Sequence, residues 1–295
     1  MDKTTFQLGA KLTKLTAQSG SIPLLKEALK KNYSVIRFGS EFCMYALPST
    51  EELQKAYELT VDAGKEFVYV TPRLADKKMI IVKKQLETLN NMGGCTIVIN
   101  DLGALKIVKD LTSLKSHLGR QLVYIPSRCP WKEITEREVS LFTKRKIKKI
   151  FYQTALNYDP TIIFYKDLGI IGADVDYIPN LFPNLKFLIE RGLQLDVHMF
   201  SIPVAITRKC HTARFLGTED LETCSRFCYT KAFMMNNEIL NKDLCLYGNT
   251  VLKLVEPDRK AISLLSRMGV AEFVITMGPL VHASSKLPEI FDQIF

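Results

Sequence analysis

Three cysteines in the second half of the 295-residue chain are spaced so that they could bind one metal centre. Cys210, Cys224 and Cys228 form a C-x13-C-x3-C pattern. If the chain is helical there, Cys224 and Cys228 lie about one turn apart, and both thiolates can reach the same centre. Thiolates bind zinc or an iron–sulfur cluster, and an all-cysteine set needs a fourth member. The pattern predicts a metal or cluster site, against the alternative of small apolar core residues.

The best candidate for the fourth ligand is Cys43. It follows the predicted strand 34–38 by a few residues, so it should project at the carboxyl end of that strand. The remaining cysteines are less suitable, because Cys95 begins a strand, Cys129 lies in a proline-flanked loop and Cys245 opens a further strand. The predicted metal ligands are therefore Cys43, Cys210, Cys224 and Cys228.

Short apolar runs alternate with amphipathic stretches along the chain, as in a parallel sheet with crossover helices. The predicted strands are residues 34–38, 67–70, 95–99, 121–125, 150–152, 174–178, 195–198, 251–254 and 272–275, and the predicted helices are 50–63, 76–91 and 181–192. No glycine-rich phosphate-binding turn follows a strand, which disfavours a dinucleotide-binding fold. We predict an α/β fold, a (β/α) TIM-type barrel forming a single domain over residues 1–295. Residues 207–243 contain no clean strand, and a cysteine-containing, cluster-binding segment is expected at about 198–243, after the late strands.

Composition and charge are those of an ordinary globular chain, with 47% hydrophobic residues, 24% charged residues and a net charge of +9. The basic runs at 26–31 and 144–149 lack interleaved aromatics, so we expect solvated helix faces and no nucleic-acid partner. We expect no targeting segment and no membrane span, since no run reaches about 18 apolar residues. A cytoplasmic location follows, where thiols stay reduced and clustered cysteines indicate metal binding rather than disulfides.

Two segments carry a family resemblance. The first holds Val197-His198, Pro203, Arg208, Cys210, Thr212, Ala213 and Arg214, and it is similar to a V-H-x4-P…R-x-C-x-T-A-R pattern. The second, residues 37–43, resembles an L-G-E-x-x-C element after an early strand. Both patterns are typical of the UbiV family of oxygen-independent ubiquinone synthesis. Cys224 and Cys228 match its later cysteine pair with one extra residue before Cys224, and the similarity extends over nearly the whole chain.

The resemblance implies a barrel with a 4Fe–4S cluster on Cys43, Cys210, Cys224 and Cys228. It also implies a heterodimer with a larger, homologous UbiU-like subunit. The pair would hydroxylate a quinone precursor or another small aromatic substrate without dioxygen, with prephenate as oxygen donor. The wider group consists of collagenase-like proteins labelled as peptidases. Met199 replaces the group's glycine after His198, and Ile202 or Pro203 stands where the peptidase-labelled relatives have a further cysteine, which favours the UbiV branch and leaves the substrate open.

Three other residues are candidates for substrate binding. Arg214 could bind an anionic donor with Glu41 holding it in place, although a structural ion pair is an equally simple interpretation. His198 could orient a substrate, or it could be satisfied by a backbone carbonyl. The sequence contains no Ser/His/Asp elbow and no H-E-x-x-H motif, so we assign no catalytic residue.

The preferred function is therefore that of an iron–sulfur subunit of an oxygen-independent hydroxylase. Three alternatives stay open. The chain could be an RNA base hydroxylation factor of the same family, a collagenase-like peptidase, or a zinc-stabilised binding protein without enzymatic activity.

Overall fold

The computed structural model describes residues 13–129, 140–238 and 242–282, and these form a closed barrel of eight parallel strands with flanking helices. The barrel strands are β1 (Lys14–Ser19), β2 (Val35–Gly39), β3 (Glu66–Val70), β4 (Thr96–Ile99), β5 (Lys115–Leu118), β6 (Ile170–Asp176), β7 (Gln194–His198) and, after an inserted sheet, β12 (Glu272–Thr276). β12 pairs in parallel with both β1 and β7, which closes the ring. The TIM-type barrel expected from the sequence is confirmed.

Helices follow most of the barrel strands. They are α1 (Ile22–Leu29), α2 (Thr50–Asp62), α3 (Asp76–Asn91), α4 (Leu102–Leu111), α5 (Leu141–Phe151), α6 (Asp159–Asp167), α7 (Phe182–Glu190), α8 (His211–Phe215), α9 (Arg259–Met268) and α10 (Pro279–His282). The described part of the chain holds no helix with the length and apolar character that crossing a membrane requires.

Local sequence accounts for several helix boundaries. Ser49 and Glu52 form a reciprocal capping box that starts α2, and the Asp101 carboxylate accepts two backbone hydrogen bonds at the start of α4. Helix α9 begins at an Asp258 cap and ends at Gly269, whose φ of 91° suits a residue without a side chain. The caps at Ser49 and Asp101 fix where the loops after β2 and β4 end.

Between β7 and β12 the chain builds a separate four-stranded antiparallel sheet. Its strands are β8 (Ser201–Ile206), β9 (Phe233–Asn237), β10 (Lys242–Tyr247) and β11 (Thr250–Leu254), in the order β8-β11-β10-β9. The stretch joining β8 to β9 carries Cys210, Cys224 and Cys228. The insertion therefore follows a late strand, as predicted, although residues 239–241 of the predicted segment lie outside the described residues.

Several strand predictions were wrong. Residues 121–125 follow β5 as a loop, residues 150–152 end helix α5, and strand 251–254 belongs to the inserted sheet rather than the barrel. Segment 207–243, expected to lack a strand, contains β9. Short apolar runs look alike in strands, helices and buried loops, so periodicity alone could not separate them. Strand β1 was missed because its sequence, KLTAQS, is polar and is not an apolar run, and run 34–38 is the second barrel strand.

The inside of the barrel holds charged side chains beside a small cluster of valines from β2, β3 and β4, whereas TIM-type barrels are usually filled with branched apolar side chains. Apolar packing is concentrated between the strands and the helices. On β6, Asp174 and Asp176 are two residues apart and project from the same face, as do Asp196 and His198 on β7. All four are at most 1% exposed. The lumen thus presents ionisable groups toward the mouth where the cysteines lie.

Candidate functional site

A row of three carboxylates crosses the middle of the barrel. Asp174, Asp196 and Glu272 are register partners on the adjacent strands β6, β7 and β12. Arg37 reaches them from β2, with Nη1 donating to both oxygens of Asp174 at 2.9 and 2.8 Å. Its Nη2 donates to Asp196 at 2.6 Å and to Glu272 at 3.0 Å. One guanidinium therefore holds together three like charges that would otherwise repel one another.

His117 completes this layer from β5. Its Nδ1 lies 2.7 Å from Asp196 Oδ2, and the missing side chain of Gly172 makes room for the imidazole. Among the described residues, His117, Asp174 and Asp196 are the group whose three ligand atoms lie within 4.8 Å of one another. The guanidinium of Arg37 already provides the positive charge there, so we interpret this group as an ion-pair network rather than a metal centre.

A second ion-pair layer lies closer to the mouth. Arg120, which follows β5, donates to both oxygens of Glu41 at 2.7 and 2.6 Å and to Asp176 at 3.1 Å. Arg128 donates its Nε to the other oxygen of Asp176 at 2.5 Å. The amide of Gln18 also donates to Glu41, at 3.1 Å. The Glu41 carboxylate therefore accepts three hydrogen bonds, two from Arg120 and one from Gln18, and faces the lumen.

His198 lies between the two layers. Its Nε2 is 3.0 Å from Asp174 Oδ2, while its Nδ1 is buried with no hydrogen-bond partner among the described residues. Burial, followed by the positive charge of Arg120, lowers the pKa of His198 well below its ordinary value. A neutral ring beside a carboxylate must donate from Nε2, which leaves Nδ1 as an unused acceptor.

Cys43 sits in the loop after β2, at the rim of the barrel. The Ser40 hydroxyl donates to the Cys43 carbonyl at 2.8 Å and accepts from the Cys43 backbone N–H at 3.3 Å, which fixes the turn. Backbone N–H groups of Tyr45 and Ala46 hydrogen-bond to the sulfur and favour its thiolate. The same loop borders a pocket that also includes Gln18, Glu41, Arg120 and Cys228, so the rim and the second ion-pair layer share one space.

Cys210 caps the short helix α8. Its sulfur accepts a hydrogen bond from the Ala213 backbone N–H at 3.4 Å, and the Thr212 backbone also favours its thiolate. Hydrogen bonds from backbone N–H groups to cysteine sulfur are a common way to stabilise and tune a bound cluster. Two of the four predicted ligands are thus supported by backbone donors.

Cys224 and Cys228 lie on two short 3-10 turns rather than on one helix. Arg226 between them adopts a left-handed φ of 57°, and its guanidinium donates to the Leu47 carbonyl and to Glu52 on α2. Tyr229 donates its hydroxyl to the Ala46 carbonyl at 3.1 Å. These contacts bring the Cys224–Cys228 stretch onto the loop that contains Cys43.

The four sulfurs lie near one another. In each of the six pairings, the charge on one thiolate raises the pKa of another. Burial is the largest cause of the raised pKa values of Cys43, Cys210 and Cys228, and it brings that of Cys228 to about 12. The four thiols are therefore gathered at the rim, where Cys43 and Cys228 line the same pocket as Arg120.

The other cysteines lie elsewhere. Cys95 precedes β4, beside Tyr69 of β3, and burial raises its pKa to about 12. Cys129 is exposed, and Cys245 on β10 is buried against Leu252 and Leu280. These positions agree with the choice of four candidate ligands, whose metal-binding role remains a prediction.

The predicted substrate-binding residues are divided between two environments. Glu41 and His198 lie in the lumen below the cysteines, whereas Arg214 is exposed on α8. Within the described residues Glu41 pairs with Arg120 and not with Arg214, so the expected Glu41–Arg214 pairing is wrong. Arg120 reaches Glu41 because β5 ends directly beneath it, which linear spacing could not reveal.

The lumen network was not anticipated. A signal was present in the sequence, because Arg37, Asp174, Asp196 and Glu272 are charged residues inside strand-like apolar runs. Charges are rarely buried unless they are paired, so charged residues on several predicted barrel strands indicate partners across the lumen.

No model of a known protein family matches this chain. It is 26% identical over 165 residues to an F-box/FBD/LRR-repeat protein of Arabidopsis thaliana, a match over 49% of the chain, and the chain spans about a third (35%) of that relative's length. A U32 peptidase is a structural neighbour with a TM-score of 0.46 and 13% identity, over 92% of this chain and 95% of the other. Dihydropteroate synthase from Thermus thermophilus gives a TM-score of 0.40 and 10% identity, over 97% and 95%. At these values function has to be argued from the site.

Proposed function

We propose that this chain binds a 4Fe–4S cluster through Cys43, Cys210, Cys224 and Cys228. The observation that supports this proposal is the grouping of four cysteines at the barrel rim, each pair close enough for the charge on one sulfur to act on the other. Thiolates brought together in this way repel one another, and a bound metal centre supplies the missing positive charge.

The sulfurs are not arranged as a single zinc ion requires. In a tetrahedral site with Zn–S bonds of about 2.3 Å, any two sulfurs lie about 3.8 Å apart. Among the described residues, no three of the cysteine sulfurs lie within 4.8 Å of one another. A 4Fe–4S cluster binds each thiolate to a different iron, so its ligand sulfurs lie farther apart than those of a zinc site.

The proposed activity is that of an iron–sulfur subunit in an oxygen-independent hydroxylase of a quinone precursor or another aromatic. When bound, the cluster supplies one-electron transfer. The chain's own part is to hold the thiolates by the backbone N–H groups of Tyr45, Ala46 and Ala213. The pocket between the cysteines and Arg120 offers polar groups that can orient a substrate.

The partner is proposed to be a larger UbiU-like homologous subunit, with prephenate as oxygen donor. The resemblance of residues 37–43 and 197–214 to the UbiV family supports both parts of this proposal. Cluster ligation needs reduced thiols, and the cytoplasm, where they stay reduced, is the proposed location.

The test is anaerobic purification of the full chain, followed by analysis of iron, acid-labile sulfide and zinc. We expect about four irons and four sulfides per chain and a brown colour. Stoichiometric zinc without iron would make the chain a zinc-stabilised binding protein. Hydroxylation is then assayed with each subunit alone and together. Three outcomes would contradict the hydroxylase-subunit proposal. They are turnover that requires only this chain, loss of an RNA base modification in a deletion strain, and cleavage of peptides.

A further inference from the structure

A second cleft, of about 480 Å³, is lined by Cys43 and the residues around it. Its walls come from four loops at the barrel mouth, at residues 42–45, 73–76, 121–128 and 206–208. This volume is in the range of small-molecule sites, which are about 300–1,000 Å³. The cleft is thus large enough for a ligand of one or two rings.

Three guanidinium groups line this cleft. Arg73 and Arg208 are exposed, and neither forms a salt bridge with a described residue. Arg128 is held by Asp176 and by backbone carbonyls, but its buried Nη2 has no hydrogen-bond partner among the described residues. The carboxylate in the lining is that of Asp76. The cleft therefore carries more positive than negative charge.

The start of α3 adds to this positive field. The helix has 16 residues, and its N-cap is Ala75, whose side chain cannot accept a hydrogen bond from the first turn. Both Ala75 and the first helical residue, Asp76, line the cleft. Uncapped backbone N–H groups and the helix dipole favour an anion at this end.

Aromatic rings form the rest of the lining. Tyr124 is 67% exposed, and Phe42 and Tyr45 are half-buried. The Arg120 guanidinium lies over the Phe42 ring at 5.2 Å, which holds that ring in place from the lumen side. Exposed and fixed aromatic rings at the wall of a cleft favour a flat ligand that can stack on them.

We propose that this cleft binds a small aromatic carboxylate. The carboxylate would be bound by Arg73, Arg208 and the start of α3, with the ring against Phe42, Tyr45 or Tyr124. An inorganic anion would leave the aromatic wall unused, and a neutral aromatic would leave two guanidinium groups unpaired. Cys43 lines the cleft and is also a proposed cluster ligand, so the ligand would lie beside the cluster. Only this consequence rests on the proposed function.

The test is calorimetric titration of the full chain with benzoate, cyclohexanecarboxylate, benzyl alcohol and inorganic phosphate. We expect one benzoate per chain, and binding of the other three probes weaker by about fivefold or more, because each lacks either the negative charge or the flat ring. Arg208→Gln and Arg73→Gln should each weaken benzoate binding by about tenfold, as expected for loss of a charge-assisted hydrogen bond. Arg267→Gln, an exposed arginine on α9, is the matched control and should leave the affinity unchanged.

Three results would overturn this proposal: no benzoate binding by the folded chain, equal binding of phosphate, or equal weakening by Arg267→Gln. Iron is measured on the same samples, before and after removal by a chelator. Benzoate binding by a chain that never holds iron would contradict the cluster alone, whereas an iron-loaded chain that binds no benzoate would contradict the cleft alone.

Discussion

The barrel lumen and the cysteine-bearing rim handle charge in opposite ways. In the lumen, Arg37 and Arg120 are each 1% exposed and each is surrounded by carboxylates that neutralise it. At the rim, Cys43, Cys210 and Cys228 lie near one another, and burial and the charge on neighbouring sulfurs raise their pKa values. The first region is complete within the chain itself, and for the second we propose a bound cluster.

This difference separates structural charges from functional ones. Burying ion pairs costs desolvation energy that good geometry only offsets, so the lumen network keeps eight strands in one arrangement rather than adding much net stability. The cysteines at the rim lie among like groups instead, and we propose that a bound cluster explains their arrangement. Breaking each region in turn should therefore affect different measurements.

The largest expected effect is at the rim. Cys228→Ser should lower the iron content of the anaerobically purified chain by about tenfold or more, because three thiolates hold a cluster weakly. Cys129→Ser, at the exposed cysteine, is the control and should keep its iron. Retention of full iron by Cys228→Ser would remove this residue from the ligand set.

Next in size is the loss of the central arginine in the lumen. Arg37→Met leaves Asp174, Asp196 and Glu272 buried beside one another, and we expect the free energy of unfolding to fall by about 3–5 kcal/mol in urea titrations. Arg191→Met, which breaks an exposed pair with Asp159, should have a much smaller effect. Similar losses from both variants would mean that the lumen charges are not interdependent.

The two buried histidines should give the stability curve opposite slopes. The pKa of His198 is well below 6.5, so its contribution is complete above pH 6.5 and is lost as the pH falls toward the folded value. Burial alone would lower the pKa of His117, but Asp196 raises it above 6.5, so its contribution is complete below pH 6.5 and is lost as the pH rises through the folded value. His198→Gln should flatten the acidic side of the plot of stability against pH, and His117→Gln should flatten its alkaline side.

Urea midpoints measured from about pH 5 to pH 8 test this pair. The two variants serve as controls for each other, since each should alter one side of the plot and spare the other. If both flattened the same side, the charge states assigned to the two rings would be wrong.

The smallest effect is expected where the inserted segment docks on the barrel. Arg226→Gln removes the hydrogen bond to the Leu47 carbonyl and a part-exposed ion pair with Glu52. It should lower the free energy of unfolding by about 1 kcal/mol or less, and by less at high salt, which screens the ion pair. Lys231→Gln, an exposed neighbour, is the control. A loss as large as that of Arg37→Met would place the insertion within the cooperative core.

Local patterns determined much of this protein without coordinates. Helix α3 was predicted with its observed bounds, since its apolar spacing is a property of sixteen consecutive residues. The alternation of strands and helices indicated the barrel, and the C-x13-C-x3-C spacing with Cys43 indicated which thiols to bring together. The helix pattern lies within a short stretch of sequence. The cysteine prediction depends only on the carboxyl ends of the strands, which all lie at one end of a parallel barrel.

Only the tertiary structure decided which charges meet in the lumen. Arg37 and Asp196 are 159 positions apart, and Glu41 and Arg120 are 79 apart. Their pairing depends on strand order, register and the side of the pleat, and each of these is set by closure of the whole sheet. The placement of run 251–254 outside the barrel has the same cause, because an apolar strand carries no information about which sheet will accept it. Closure of the barrel determines which buried charges pair, and the separation of these residues in sequence does not reveal the pairs.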